Sequence, residues 1–203
     1  MITLIFATNN QHKVEEIQAV AGNQFGIITL KDAGIDTDIP EPYDTLEENA
    51  SAKSRTIHEL TGMNCFSEDT GLFVDILNGE PGVKSARYAG EEKSFDRNIE
   101  KLLHHLGTSE KRTARFKTVI SLIMNGTEHW FEGVCEGRIG YERKGSHGFG
   151  YDAVFIPLGS KKTFAEMSLN EKNVFSHRKK ATDKLVLFLQ DAVTIQDGDL
   201  KRN

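Results

Sequence analysis

Residues 2–30 read ITLIFATNNQHKVEEIQAVAGNQFGIITL, and the order of patterns in this stretch decides the fold class. Ile2 to Ala7 is a short apolar run closed by a polar turn, which predicts a buried strand. Thr8-Asn9-Asn10 is that turn. From Lys13 to Ala21 the apolar residues Val14, Ile17 and Val20 recur at three-residue spacing; this predicts a helix, with Gly22 as its stop. Phe25 to Leu30 predicts a second strand. Strand, loop, helix and strand in this order specify an α/β architecture.

The rest of the chain extends that reading. Residues 32–48 form an acidic loop with seven carboxylates, two prolines and no Lys or Arg. Thr45 and Glu48 have capping-box spacing at the start of a helix that Gly62 ends. Cys65 to Ser67 and Leu72 to Leu77 read as two apolar strands flanking a turn, Glu68-Asp69-Thr70-Gly71. Asn78 to Gly82 is a further turn. Ser94 is placed to cap a helix running to Leu106, with Gly107 after it. Arg115 to Met124 and Glu128 to Tyr141 predict a long hairpin turning at Asn125-Gly126. Ala153 to Pro157 is a short strand, Thr163 to Asn173 one or two helical turns, and Ser176 to Val193 a closing helix. The tail from about Gln196 is expected to fray.

Composition bounds the function. A chain of 203 residues, 38% hydrophobic and 27% charged, can bury its own core without disulfides or a structural metal. The net charge of −5 argues against a nucleic-acid binder, which usually carries a basic surface. Cys65 and Cys135 both lie in apolar segments, so a reducing compartment is expected. The opening apolar run is short and lacks a basic segment before it, so no secretory signal is read, and no run approaches a membrane span. The expected location is cytoplasmic.

Five segments could carry chemistry. Thr8-Asn9-Asn10-Gln11-His12-Lys13 precedes a helix N-terminus, where free amides suit a phosphate; from the local pattern alone a polar turn with Asn10 as N-cap is the commoner explanation. Glu68-Asp69-Thr70-Gly71 sits where α/β sheets place ligands, and paired carboxylates could hold Mg²⁺ there; an acidic turn is the alternative. Glu41, with Asp36, Asp38 and Asp44, is either a further metal ligand or part of a solvated loop. The segment from Ser146 to Asp152 sets Phe149 and Tyr151 between glycines, a pattern that can stack on a base or fold into the core. Lys172 with Ser176-His177-Arg178-Lys179-Lys180 is either a basic solvated face or an anion and keto-oxygen site. Carboxylates crowd residues 32–48 and cations crowd 161–180. A metal–triphosphate site needs both signs in one cleft.

In this order and spacing the segments resemble the inosine triphosphate pyrophosphatase family. Besides those above, its marks include Glu48-Asn49-Ala50, Pro81-Gly82, Ser85-Ala86-Arg87-Tyr88-Ala89-Gly90 and Glu171-Lys172. The likeness runs from Ile2 to about Leu189. It implies an elongated mixed sheet flanked by helices, one domain over 1–203 with two lobes and a cleft between them. It implies a homodimer that uses Mg²⁺ and converts ITP, dITP and XTP to monophosphate and pyrophosphate by attack at the α-phosphorus. Residue by residue, it implies that Thr8, Asn10 and Lys13 grip phosphates, with Asn9, Gln11 and His12 in the same loop. Asp69 becomes the catalytic carboxylate and a metal partner, with Glu68 and Glu41 as further metal ligands and Thr70 touching substrate. Phe149, Gly150, Tyr151, Asp152, Lys172, His177 and Arg178 surround base and sugar, and Lys172 also helps Lys13 with the departing pyrophosphate. Asn9 stands where many members carry Gly, and Glu68-Asp69-Thr70 replaces a common Asp-Asp-Ser. A pyrophosphatase for other modified nucleotides and a non-catalytic nucleotide sensor remain as alternatives.

Overall fold

The computed structural model describes residues 2–37 and 39–200, with backbone alone for 193–200. Asp38, read above as a neighbour of Glu41, lies outside the described residues.

The opening stretch folds as expected. Strand β1 (Thr3–Phe6) leads into α1 (Gln11–Ala21), and β2 (Gly26–Thr29) pairs back in parallel on β1. Asn10 caps α1 by accepting from the Lys13 amide, which satisfies one of the orphan donors of the first turn. Helix α2 (Leu46–Thr61) starts on Thr45 and ends on Gly62 in the left-handed region. Helix α3 (Phe95–Leu106) lies between Ser94 and Gly107. Strands β5 (Thr113–Met124) and β6 (Thr127–Ile139) form the long hairpin. Asn125 and Gly126 both take positive φ, 52° and 77°, as a two-residue turn of this hand requires. Strand β7 (Phe155–Pro157), α4 (Leu169–Phe175) and α5 (His177–Leu200) complete the chain. The fraying expected from Gln196 falls on residues whose side chains lie outside the described set; the backbone there continues α5 to Leu200.

One expectation is corrected. Glu68 to Gly71 is not a turn between two strands. Cys65–Val74 is one continuous strand, β3, and each of its residues pairs with β5 in unbroken antiparallel register. Charged residues can sit mid-strand here because buried cations neutralise them, as described below. Gly71 has a separate reason: a Cβ there would lie 2.7 Å from the Gly82 carbonyl, where the two-residue strand β4 (Pro81–Gly82) pairs with β3. Glycine inside a strand marks such a close backbone approach.

The mixed sheet runs β2-β1-β3-β5-β6-β7. Its long strands thread two cores. Phe66, Ile120 and Leu122 join Leu4, Phe6, Ile17 of α1 and Leu185 of α5 in one core. Leu72, Val74 and Phe116 join Ile99 and Leu102 of α3, Phe155 and Phe164 in another. A smaller group, with Ile5, Leu30, Cys65 and Ile57 of α2, covers the opposite face of the first lobe. Glu68, Asp69 and Thr70 therefore lie on β3 at the seam between lobes. No helix among the described residues is long and apolar enough to cross a membrane.

The first turn of α5 rests on β6 at Gly133. A Cβ added there would lie 2.0 Å from the His177 carbonyl oxygen and 2.6 Å from the Ala181 amide. Both are backbone atoms, so the helix itself must move. Gly133→Ala is expected to cost ~2–3 kcal/mol by overpacking, roughly 5–10 °C in Tm for a chain of this size. Turnover should fall with it because His177 shifts. A variant that melts and turns over as the parent does would show that α5 does not depend on this approach.

Candidate active site

A cleft of about 570 Å³ opens at the seam. Of the residues singled out in the sequence, Thr8, Asn9, Asn10, Gln11, Lys13, Glu41, Asp69, Thr70, Phe149, Gly150, Tyr151, Asp152, Lys172, His177 and Arg178 line it. Segments far apart in the chain thus converge as the charge pattern required. Glu68 and His12 do not line it.

The turn after β1 supplies one end. The Thr8 hydroxyl accepts from the Asn10 amide at 3.2 Å, and Asn9 donates to the Thr37 carbonyl. The amides of Gln11 and His12 carry no hydrogen bond among the described residues. They are first-turn donors with the positive end of α1 behind them, a setting that suits an anion. The capping reading and the phosphate reading of this turn are compatible.

Beneath the cleft floor lies a buried ion network. Glu68 is 1% exposed. Arg178 grips it in two-pronged fashion, Nε to Oε2 at 2.7 Å and Nη2 to Oε1 at 2.9 Å, and Lys13 reaches Oε1 at 3.0 Å. Burial alone would push the Glu68 carboxyl up, but Arg178 and Lys13 outweigh it and hold it far below the usual carboxylate range. Its oxygens are thus already engaged by cations. Arg178 continues to Glu16 through Nη1, and Lys172 bridges Glu16 at 2.7 Å and Asp152 at 2.6 Å. Lys172, expected near the leaving group, is 4% exposed and held between these two acids. Burial raises the Asp152 carboxyl more than Lys172 lowers it.

Asp69 faces the cleft from the next position of β3, on the opposite side of the sheet from Glu68. Its Oδ1 accepts from Lys53 Nζ at 3.2 Å, and Lys53 also donates to the Glu68 carbonyl at 2.8 Å and to the Glu41 carboxylate. The Asp69 Oδ2 has no partner among the described residues. Burial raises the Asp69 carboxyl above its usual range; Lys53 and Lys13 offset this only in part, and Glu41 adds to it. Asp69 and Glu41 therefore share one ammonium, each presenting oxygen toward the cleft. Hard oxygens of this kind fit Mg²⁺, which is bound through one or two carboxylates and substrate phosphates and not by a full protein cage. Among the described residues no three Asp, Glu, His or Cys side chains gather as such a cage.

Aromatic rings line the same cleft. Phe149 lines the cleft, and Lys172 Nζ and the Arg178 guanidinium both lie 5.5 Å from its ring centre. His177 stacks on Phe116 with ring centres 4.6 Å apart. Burial, with Arg178 and Lys172 adding to it, depresses its pKa well below the ordinary histidine value, so the ring is neutral. Its Nδ1 is the one buried side-chain polar atom without a partner among the described residues. Buried polar atoms are nearly always paired, which points to a ligand. Gly148 permits this loop: its φ is +75°, and a Cβ would meet the Asp152 carboxylate at 2.1 Å. His12 stands outside, its ring stacked on Phe149 at 5.0 Å.

With this geometry in view, the chain matches the Ham1 family over residues 4–188. This protein belongs to the Ham1 family. The dITP/XTP pyrophosphatase of Flavobacterium johnsoniae is 46% identical over 183 residues, covering 90% of this chain and 95% of that one. The dITP/XTP pyrophosphatase of Porphyromonas gingivalis is 48% identical over 190 residues, with 93% and 98% covered. The solved Ham1 protein of Staphylococcus aureus superposes with a TM-score of 0.85 at 38% identity, covering 94% of this chain and 99% of that one. The Ham1 assignment agrees with the resemblance read from the motifs.

A cleft residue, Lys53, and a member of the ion network beneath it, Glu16, escaped the sequence reading. Lys53 lies on α2 among the buried positions Leu46, Ala50 and Ile57. A lysine at helical spacing within an apolar stripe was a usable sign of a buried, paired cation. Glu16 sits beside the Val14–Ile17 stripe of α1 and carried no comparable mark.

Proposed function

We propose that this protein is a nucleoside triphosphate pyrophosphohydrolase that removes deaminated purine nucleotides, cutting dITP, ITP and XTP into monophosphate and pyrophosphate. One observation carries the reading. The Asp69 carboxylate, with Lys53 on one oxygen and no partner for the other among the described residues, lines one cleft with a phosphate-type helix N-terminus and with Phe149 and His177. A nucleotide needs these three kinds of group together: donors for its phosphates, a carboxylate at the reacting centre and a surface for its base.

The roles follow from placement. The Thr8–Lys13 turn binds phosphates through the Thr8 hydroxyl and the free amides. Asp69 orients the attacking water and accepts its proton, and its raised pKa makes it a better base than an ordinary carboxylate. Lys53 holds Asp69 and Glu41 in position. When bound at Asp69 and Glu41, Mg²⁺ supplies neutralisation of charge on the triphosphate. The base stacks on Phe149, and His177 and the remaining N–H of Arg178 meet its 6-keto edge. Adenine carries an amino group there and leaves buried groups unmatched, which can discriminate by ~10⁴. The assembly is read as a homodimer, as the resemblance implies, working in the cytoplasm where such a nucleotide pool lies.

The test is pyrophosphate release from dITP, ITP, XTP, GTP and ATP, with and without Mg²⁺, run in ¹⁸O-labelled water. Label is expected in the monophosphate, with dITP and XTP favoured over ATP by ~10³ or more. Turnover of ATP as fast as ITP would remove the keto-recognition idea. Label in pyrophosphate, or orthophosphate as first product, would overturn attack at the α-phosphorus. Binding without turnover would indicate a sensor, and preference for another modified base a different pyrophosphatase.

A further inference from the structure

The cations of the cleft differ in how firmly they are held. Lys13, Lys53, Lys172 and Arg178 each make contacts of 3.0 Å or less to buried acceptors. Arg87 does not. It ends a short 3-10 turn, Ser85–Arg87, and lines the cleft. Only its Nη2 is used, at 3.2 Å to the Glu41 carbonyl and 3.4 Å to Oε2 of the same residue. Its Nε and Nη1 hydrogens have no partner among the described residues.

The backbone beneath it is, by contrast, firmly fixed. The Ser85 hydroxyl bridges the Gly82 carbonyl and the Leu72 amide, Asn98 of α3 donates to the Ser85 and Ala86 carbonyls, and Tyr151 donates to the Ser85 carbonyl. A rigid mount carrying a guanidinium with three spare N–H groups is arranged to receive a ligand. Its contact runs through Glu41 and Lys53 to Asp69, and Arg87 and Asp69 line the same cleft.

We infer that Arg87 is a substrate-binding residue that takes the phosphates lost as pyrophosphate, exchanging its long contacts to Glu41 for paired hydrogen bonds to phosphate oxygens. Charge-assisted, two-pronged guanidinium–phosphate contacts are stronger than single contacts at 3.2–3.4 Å. The exchange also frees the Glu41 carboxylate as the substrate seats. Arg87 thus holds the leaving group. This rests on the nucleotide reading given above.

The test uses the full chain and the Arg87→Gln and Arg87→Lys variants. Calorimetric titration compares inorganic pyrophosphate, dIMP and an α,β-imido analogue of dITP, and steady-state kinetics give KM and kcat for dITP. Arg87→Gln is expected to weaken pyrophosphate and the imido analogue about tenfold or more and to raise KM for dITP similarly, with dIMP binding changed less than about twofold. Arg87→Lys should restore part of the loss. Equal weakening of dIMP and pyrophosphate would overturn the inference, since Arg87 would then only brace the acidic loop through Glu41. Unchanged pyrophosphate affinity in Arg87→Gln, with normal binding by the parent, would overturn it as well. A parent that binds neither dIMP nor the imido analogue would instead sink the nucleotide reading, and the Arg87 assignment with it.

Discussion

Asp69→Asn is expected to lower kcat for dITP by ~10³-fold or more and to leave the melting temperature equal to the parent's or higher. Asparagine keeps the shape on β3 but loses the charge that orients water and holds metal. The effect on stability runs the other way. Burial raises the Asp69 carboxyl above its usual value, so the native state binds that proton more tightly than the unfolded chain. For such a group stability falls as pH rises through the window between the two pKa values, and the ionised form is a net cost at neutral pH. The variant removes that cost. Lys53 retains Glu41 and the Glu68 carbonyl as partners. In the parent, kcat/KM should drop as pH falls through a pKa above the ordinary carboxylate value of about 4. A folded variant with near-normal kcat would exclude Asp69 as the reacting carboxylate.

The sequence carried the elements better than it carried the site. Caps and turns were legible because they rest on local chemistry: Asn10, Thr45 and Ser94 start helices, and Asn125-Gly126 turns the hairpin, as expected. The break misplaced within β3 had a physical source. Glu68-Asp69-Thr70-Gly71 has the local chemistry of a turn, and what makes it a strand is distant, namely Arg178 from α5, Lys13 from α1 and Lys53 from α2. The same limit applies to roles. A motif tells which residues meet, and charge pairing tells which are spent. Arg178 pairs with Glu68 and Glu16, and Lys172 with Glu16, across 110 and more positions of sequence, and no local pattern records that. Asp69 and His177 line the cleft and each keeps a side-chain atom without a partner among the described residues, and this separates them from neighbours in the same motifs.

Arg178→Met is expected to destabilise the protein by about 3–5 kcal/mol, a fall of roughly 10 °C in Tm. Its guanidinium closes both prongs on Glu68 and a further contact on Glu16, all three residues being at most 9% exposed. Removing it leaves two buried carboxylates sharing only Lys13 and Lys172. The loss should depend on pH with a definite sign. In the parent, Arg178 helps hold Glu68 and Glu16 below the usual carboxylate range, so the pairing contributes stability throughout the neutral region. Without Arg178, burial dominates and both carboxyls move up, so the variant gains stability on protonation as pH falls. The gap in Tm between parent and variant should therefore narrow from pH 8 to pH 5.5. Adding Glu68→Gln to Arg178→Met should recover part of the loss, because the uncompensated charge is gone. A variant melting within about 2 °C of the parent at every pH would show that Arg178 is not the keystone of this network. The expected outcome also decides how the base pocket can be probed. Activity lost on truncating Arg178 would mix a missing base contact with a collapsed floor under Asp69. His177, neutral and with Nδ1 unspent, gives the cleaner measurement of keto recognition, through the ratio of kcat/KM for dITP and dATP in a folded His177→Asn variant.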